Sequence, residues 1–405
     1  MRLVLFFLGG VFLGSVVGFW AAVIALMAAA FLYFFDKTKL ALFSLTMLLG
    51  WGYLHLYNFY QKDPEIIFHQ KQKLQAVVTK ISYNRGRQEL LTDRRLKIIT
   101  LYYPTYEYGD LIEVEGIAKP RITAQADGVI YWPKITPLHK NRGWLIKAKL
   151  LSVRDYFQSS FKKLLPYEPA ALLAGITFGG RSDFSQELRE KMQRSGVSHI
   201  VAVSGYNISI ILKYLLWLGI IPAALIILAF VIMAGAEASI VRAAIMGLIL
   251  LLAQGSERTY ETMLALLTAA FLMTLTNPRI LVFDLGFQLS FLAVLGLVYL
   301  EPILRRRLWF VQWLGGQYFW TTLAAQAAVA PLLLYRFGGF SLSGIPANVL
   351  ILPIVPATMF LGFMTGVFSL FSNTLSQILA WLAGVFLNYE LWVIEVFSMA
   401  GYLQF

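Results

Sequence analysis

Residues 196–209, GVSHIVAVSGYNIS, place His199, Ser204, Gly205 and Asn207 at the mouth of a long apolar region. In hydrocarbon an unpaired polar group costs several kcal/mol, so a polar, Gly-interrupted helix start is either satisfied internally or lines a wet path. Ser and Asn bonding to their own backbone is the local alternative. The rest of the composition sets the environment. Of 405 residues, 58% are hydrophobic and 14% charged, where soluble domains carry about a quarter charged residues. The expected fold is a polytopic α-helical membrane protein of about 11 apolar segments with an inserted small all-β domain.

Several chemistries are excluded by residue content. Cysteine is absent, which removes disulfides and thiolate catalysis. The four histidines, at 55, 69, 139 and 199, form no HExxH or His/carboxylate cluster, and GxxxxGK[ST] does not occur. No metal or cofactor is therefore expected, any energy source is external, and no catalytic residue is assigned. The net charge of +12 favours a polyanionic partner, nucleic acid or anionic membrane lipid.

Three regions follow along the chain. Residues 1–60 are read as N-terminal transmembrane helices. Leu3 to Phe35 is apolar throughout, about 33 residues or roughly 50 Å as one helix, so two short helices turning near Gly14 to Gly18 fit better. A third span runs from about Leu40 to Tyr60. With Arg2, Lys37 and Lys39 cytoplasmic, it exits outward, and the domain that follows is extracytoplasmic.

Residues 61–165 change character, with 19 Lys/Arg against 10 Asp/Glu. Strand-like runs at Leu74 to Ile81, Leu96 to Tyr102, Leu111 to Ile117 and Trp144 to Val153 are separated by turn signals, which suits a small Greek-key barrel of OB type. Tyr102, Tyr103, Tyr106, Tyr108, Tyr131, Trp132 and Trp144 interleave with Arg94, Arg95, Lys97, Arg121, Lys134, Lys140 and Arg142. Aromatic faces stack bases and cations track phosphates, which is how sequence-tolerant single-strand binding is built. The same pattern also fits a barrel whose aromatics are core and whose cations protect strand edges. Ser152 to Leu165 is read as an amphipathic lead-in helix at the interface.

Residues 166–405 are read as a helical membrane domain. Asp183 or Ser185 caps a basic helix closed by Gly196. Eight apolar segments follow, at 199–217, 220–236, 238–254, 261–276, 280–300, 316–335, 343–368 and 374–400. Arg258 and Arg305-Arg306-Arg307 mark cytoplasmic loops, which puts His199 at the extracytoplasmic face. Pro346, Pro353 and Pro356 interrupt segment 343–368. In this topology Arg242 and Asp284 each lie about four residues, roughly 6 Å, below the outer ends of their helices. Ser204, Asn207, Gln288 and Asn348 fall near the same depth, so Arg242 and Asp284 are expected to pair inside the bundle with the others around them.

The stretch 196–209 and its surroundings resemble the ComEC-type competence family, polytopic proteins that bring single-stranded DNA across the inner membrane during natural transformation. The family motif runs "G-hydrophobic-S-H, four or five apolar or small residues, S-G-hydrophobic-H". Here it reads Gly196, Val197, Ser198, His199, then Ser204, Gly205, Tyr206, with Asn207 in place of the final His. Further matches in family order are Gly179-Gly180-Arg181, Arg242 to Met246, Asn277-Pro278, Asp284 to Ser290, Gln326, Pro331, Phe337-Gly338, Asn348 and Pro353. The resemblance implies a DNA channel in the cytoplasmic membrane lined by His199, Ser204, Gly205, Asn207, Arg242, Asp284, Gln288, Gln326 and Asn348, with an outward OB-like domain. It also implies a cytoplasmic ATP-driven helicase-like motor and an extracytoplasmic DNA receptor as partners. Many members continue into a metallo-β-lactamase-like domain, whereas this chain ends about five residues after its last apolar segment, so a separate nuclease is expected. The competing readings are a small-solute secondary transporter with broken helices and an intramembrane hydrolase using Ser204 or Asp284.

Overall fold

A computed structural model describes residues 1–17, 38–61, 63, 65–84, 87–139, 142–180, 183–201, 205–215, 218–256, 259–307, 316–399 and 402–404. These group into two compact units. The first comprises Met1–Ile81, Gln88–Arg142 and Leu248–Gln288, and the second Ser82–Arg87, Gly143–Gly247 and Leu289–Phe405.

In the first unit, helices α1 (Arg2–Val17) and α2 (Thr38–Tyr60) pack side by side. Gly10 and Gly50 sit where a Cβ would run into the partner helix backbone, at Met47 and Phe7. Small residues there let two helices without other glue approach closely. Residues 14–17, where a turn is expected, continue α1 as helix, and the remainder of the Leu3 to Phe35 run, from residue 18, lies outside the described residues.

The β domain is built from β1 (Lys71–Asn84), β2 (Arg87–Thr92), β3 (Leu96–Leu101), β4 (Leu111–Pro120), β5 (Gly128–Tyr131) and β6 (Lys134–His139). Strand order is β1-β2-β3-β5-β4, with β4 returning to β1 and β6 added outside β4. β3 and β5 run parallel, whereas β4 is antiparallel to β1, β5 and β6. This closed five-stranded arrangement is an OB-like barrel. Period-two alternation turns Leu74 and Val78, Leu96 and Ile98, and Ile112 and Val114 into one core with Leu90, Tyr106, Ala118 and Ile130.

The fourth expected strand is a helix. Trp144 to Val153 does not join the barrel; it begins α3 (Leu145–Leu164), which continues through the expected lead-in segment as one 20-residue helix. Leu-Ile-Lys-Ala-Lys-Leu-Leu satisfies alternation and helical spacing equally, and the Phe157/Phe161 face downstream decides for the helix because both rings are buried. β2, β5 and β6 supply the strands that the alternation scan did not mark.

The barrel is anchored within its own unit. Asp127, just before β5, accepts from Arg95 Nε at 3.0 Å and from Arg279. Arg279 Nε also donates to Asn58 at the end of α2 (2.6 Å), and Arg95 reaches Tyr57 (3.1 Å). Asn277 donates to the Ala124 carbonyl at 2.6 Å. Arg279 and Asn277 lie between α9 (Thr262–Thr276) and the short α10 (Ile280–Phe283), so the loop holding Asn277-Pro278 clasps the barrel.

The second unit continues α3 with α4 (Tyr167–Phe178), α5 (Gln186–Arg194), α6 (Gly205–Leu215), α7 (Ile220–Met233) and the first ten residues of α8 (Ala238–Gly255). It resumes at Leu289 within α11 (Leu285–Leu295), which passes through a π-helical stretch, Gly296–Leu300, into α12 (Glu301–Arg307). Then come α13 (Gln317–Phe337), α14 (Gly344–Ile351), α15 (Val355–Phe368) and α16 (Asn373–Ser398), with a two-stranded pairing of Gly339–Ser341 and Tyr402–Gln404.

Among the described residues three helices are long and apolar enough to cross a membrane, Ala238–Gly255, Leu285–Arg307 and Asn373–Ser398, or four with the bent pair α14–α15. Among the described residues the expected 11 or so apolar segments are therefore not all shown as membrane spans. Several apolar segments fold as helices such as Ile220–Met233 and Thr262–Thr276, whose 14 and 15 residues make about 21 to 23 Å against a hydrocarbon core of about 30 Å. The interruption of segment 343–368 is present as a 53° bend between α14 and α15. The expected cap of α5 is also present. Ser185 Oγ accepts from Leu188 N at 3.1 Å, and Gly196 after the helix takes φ +71°.

Candidate functional site: a basic groove on the barrel and a polar helix junction

On the barrel, β1, β4, β5 and β6 shape a groove of about 540 Å³ lined by Lys71, Glu115, Gly116, Ile117, Lys119, Tyr131, Trp132 and Lys134. Tyr131 is 44% and Trp132 48% exposed, and Ile117 adds apolar surface at 48%. Trp132 takes φ +51°, while its N–H bonds Ile99 O at 2.9 Å. A left-handed non-glycine residue is held there by its surroundings, and this one leaves a half-exposed indole in a groove with three lysines. Arg121 donates to the Tyr131 hydroxyl at 3.3 Å, adding a cation at the rim.

The remaining expected DNA-contact residues divide. Arg94 is bound by Asp63 (3.0 Å) and Glu65 (2.5 Å), and the Asp63 hydrogen bond leads in holding its guanidinium above the ordinary value. Arg95 belongs to the Asp127 anchor, and Lys97 pairs with Glu89 at 2.7 Å. These three charges are neutralised within the barrel, which departs from the expected phosphate-tracking role. Tyr102 and Tyr103 are exposed and stand ring to ring at 4.8 Å on a separate loop. The fully buried Gln88 secures that loop by donating to the Tyr102 and Pro104 carbonyls. Tyr106 is core, at 5% exposure. Arg142 is exposed, with its N–H on Gly109 O. Trp144 belongs to the second unit, and Lys140 lies outside the described residues. Lys71, Lys119 and Ile117 were missed by sequence reasoning, because alternation alone does not say which strands lie next to one another.

Groove charge is tempered by Glu115. Lys71 sits 2.9 Å from it, and that hydrogen bond holds the Glu115 carboxyl below its ordinary range. Lys73, paired with Glu113 at 2.9 Å, is raised for the same reason. Lys119, Lys134 and Arg121 therefore carry most of the attraction the groove offers an anion.

In the second unit, helix ends bring polar groups together. Gly196 lies against the start of α14. A Cβ there would stand 2.7 Å from Gly344 Cα, and one on Gly344 would stand 2.5 Å from Gln326 Nε2 of α13. Ser341 and Ser343 fix the junction from the other side, both hydroxyls donating to the Arg194 carbonyl that ends α5. Gly205 opens α6 beside Arg242, with 3.0 Å between the Arg242 guanidinium and a Cβ placed there. Arg242 is 7% exposed, donates to Ser290 Oγ at 2.5 Å and lies 5.9 Å from the Phe291 ring centre. Tyr206 donates to the Leu352 carbonyl at 3.1 Å, and Asn207, 2% exposed, donates to Ile176 O at 2.9 Å.

Asn348 Oδ1 and Gln326 Oε1 are buried without a hydrogen-bond partner among the described residues. Such atoms cost about 1–3 kcal/mol each and mark where water or a polar ligand is wanted. Gly205, Asn207, Arg242, Gln326 and Asn348 thus all belong to this unit, with Gly205 beside Arg242 and Gln326 beside Gly344 at the start of the helix that carries Asn348. His199 stands exposed on the turn before α6, and Ser204 lies outside the described residues. Asp284 and Gln288 belong to the first unit. There Asp284 Oδ1 caps α11 by accepting from Phe287 N at 2.9 Å, and Gln288 donates to the Leu281 and Val282 carbonyls. Arg242 and Asp284 therefore each have a partner inside their own unit.

No His, Asp or Glu group among the described residues has metal-binding geometry.

Residues 176–404 match the family model described as "Competence protein". The chain belongs to the Competence protein family. ComE operon protein 3 of Bacillus subtilis (strain 168) is 31% identical over 231 residues, covering 55% of this chain and 29% of that relative. The chain thus spans less than a third of the relative's length. No solved structure matches it. The family match covers the polar junction and leaves out the barrel, which lies before residue 176.

Proposed function

We propose that this chain passes single-stranded DNA across the cytoplasmic membrane during natural transformation. In this reading the barrel faces outward and receives the strand, and the helical region conducts it. The observation that carries the reading is a Competence family chain bearing an OB-like barrel whose groove joins Trp132 and Tyr131 to Lys119, Lys134 and Arg121. Flat π-faces beside cations fit a polymer of bases and phosphates and demand no particular sequence. Arg242, Asn207, Gln326 and Asn348 supply the polar lining that a charged strand needs inside hydrocarbon. The chemistry asked of the protein is conduction, with catalysis and cofactors left out, and a helicase-like motor, a DNA receptor and a nuclease are assigned to other proteins.

Two measurements test it. Labelled DNA should enter a strain deleted for this gene only when the gene is restored, and entry should fall when Trp132 and Lys134 are replaced together. A cysteine introduced at Arg142 of this cysteine-free chain should react with an impermeant thiol reagent in intact cells. Undiminished entry without the gene removes the reading, and labelling only in lysed cells removes the receiving role of the barrel. The bent α14–α15 pair with unpaired polar atoms beside it is the observation that favours a secondary transporter instead. Uptake of a small solute with DNA entry unaffected would support that alternative.

A further inference from the structure

One buried group in the second unit is a carboxyl that no role above uses. Glu390 lies on α16, a helix long and apolar enough to span a membrane, and is 1% exposed. Its Oε1 accepts from Thr358 Oγ1 at 2.7 Å, while Oε2 is buried with no hydrogen-bond partner among the described residues. None of the ion pairs among those residues includes it. A carboxylate held by a single hydrogen bond in such a place carries a large desolvation cost, which a bound proton removes.

The second observation is the bend. Thr358 lies in the first turn of α15, just past the 53° break, and its hydroxyl is also 3.4 Å from the Ile354 carbonyl. Its one proton thus has two acceptors, the Glu390 carboxyl and a carbonyl at the break. Pro356 has no N–H to give Leu352 O, the carbonyl four residues back, and the Tyr206 hydroxyl of α6 takes that place. Beyond Thr358 the polar track continues. Thr177 Oγ1 of α4, 0% exposed and without a partner among the described residues, lies 3.3 Å from a Cβ placed on Gly362, one turn along α15.

We propose that Glu390 is a proton-binding site seated at the α14–α15 bend, and that its occupancy sets the bend. In the ionised state the carboxylate accepts the Thr358 proton. Adding a proton makes the carboxylic acid, whose O–H donates to Thr358 Oγ1, and the Thr358 proton turns to Ile354 O. Only one O–H bond forms, and the proton comes from water. Because α14 carries Asn348 and starts at the Gly196–Gly344 contact, a change at the bend reaches the polar junction.

Few other titratable groups face this site among the described residues. α14 and α15 carry none. The buried face of α3 is Phe157, Ser160 and Phe161, and on α4 Tyr167 and Glu168 are exposed at the first turn. From α5, Lys191 reaches α16 at Glu395 (3.1 Å), and Arg189 is half-buried.

The test uses the full chain in lipid nanodiscs without DNA, so its failure is distinct from failure of the DNA reading. A pH-insensitive fluorophore on Leu350→Cys, exposed on α14, reports the bend, and infrared difference spectra report the carboxyl. Between about pH 5 and pH 9 the fluorescence should titrate together with a carboxylic-acid C=O band. Glu390→Gln should abolish both signals, and Thr358→Val, which keeps the carboxyl, should displace the midpoint about tenfold in proton concentration. An identical titration in Glu390→Gln, no titration in the parent, or an unmoved midpoint in Thr358→Val each overturns the proposal. The last of these holds even if Glu390→Gln fails to fold.

Discussion

Neutralising Glu115 should tighten single-stranded DNA binding and steepen its salt dependence. In the native groove Lys119, Lys134 and Arg121 are the cations at hand, while Lys71 is held by Glu115 at 2.9 Å. Three neutralised phosphates at about 0.7 each give a log-log slope of about −2.1, or about a 20-fold loss of affinity from 50 to 200 mM salt. Glu115→Gln releases Lys71 for a fourth phosphate, which moves the slope to about −2.8 and the loss to about 50-fold. Lys134→Gln should flatten it to about −1.4. Acid should act like Glu115→Gln. Lys71 depresses the Glu115 carboxyl, so their attraction is present above the ordinary carboxylate value and is lost as pH falls through the lower folded one. The assay is fluorescence anisotropy of a labelled mixed-sequence oligonucleotide with the full chain in nanodiscs of neutral lipid. Arg94→Gln and Lys97→Gln are the controls, because their charges are already matched by Asp63, Glu65 and Glu89. If these two flatten the slope by about 0.7 each while Glu115→Gln leaves it unchanged, the strand lies on another face and the groove assignment is wrong.

Gly196→Ala combines a left-handed φ of +71° with a Cβ 2.7 Å from Gly344 Cα, so it should cost at least about 2 kcal/mol. Gly180→Ala, at φ +94° with nothing within 4 Å of the new Cβ, should cost less in the same thermal-unfolding series. Asn207→Leu leaves the Ile176 carbonyl without its donor and should destabilise by about 1–3 kcal/mol, read from the same melts. Arg279→Gln removes one of two cations on Asp127 and the contact to Asn58, so hydrogen exchange should quicken in residues 121–131, with the α1–α2 pair unchanged.

Local chemistry was the legible part of this sequence. Ser185 and Gly196 bracket α5 because caps depend only on residues within a turn, and Pro353 and Pro356 announce the α14–α15 bend for the same reason. Alternation marks β1, β3 and β4, yet Trp144 to Val153 reads as a strand and folds as a helix, because its lysines fit both periods and the deciding aromatic face lies further on. Pairing was the illegible part. Arg94 meets Asp63 and Glu65 across 31 and 29 residues, so a cation beside aromatics looked available when its charge was already matched. Depth counting says nothing of local partners, and the Asp284 carboxylate caps the helix that begins at the next residue. Glu390 drew no notice because a lone acid in a 26-residue apolar helix has no sequence neighbour to explain it.

The Asp127 anchor has a mechanical meaning. The barrel is tied to the ends of α2 and α9 through a carboxylate shared by two arginines, one from the barrel and one from beside α10. Arg279 is 8% exposed at its side chain, so pulling the carboxylate away would strand a nearly dry charge, an expense that rises steeply with the first ångström of separation. Tension on a polymer held in the groove would therefore run through Asp127 into the helices of the same unit. The groove keeps its bearing on α2 while the load is on, so if the proposed function holds, slippage would fall to bases stacked on Trp132 and Tyr131, where contacts are individually weak and can be remade one nucleotide at a time.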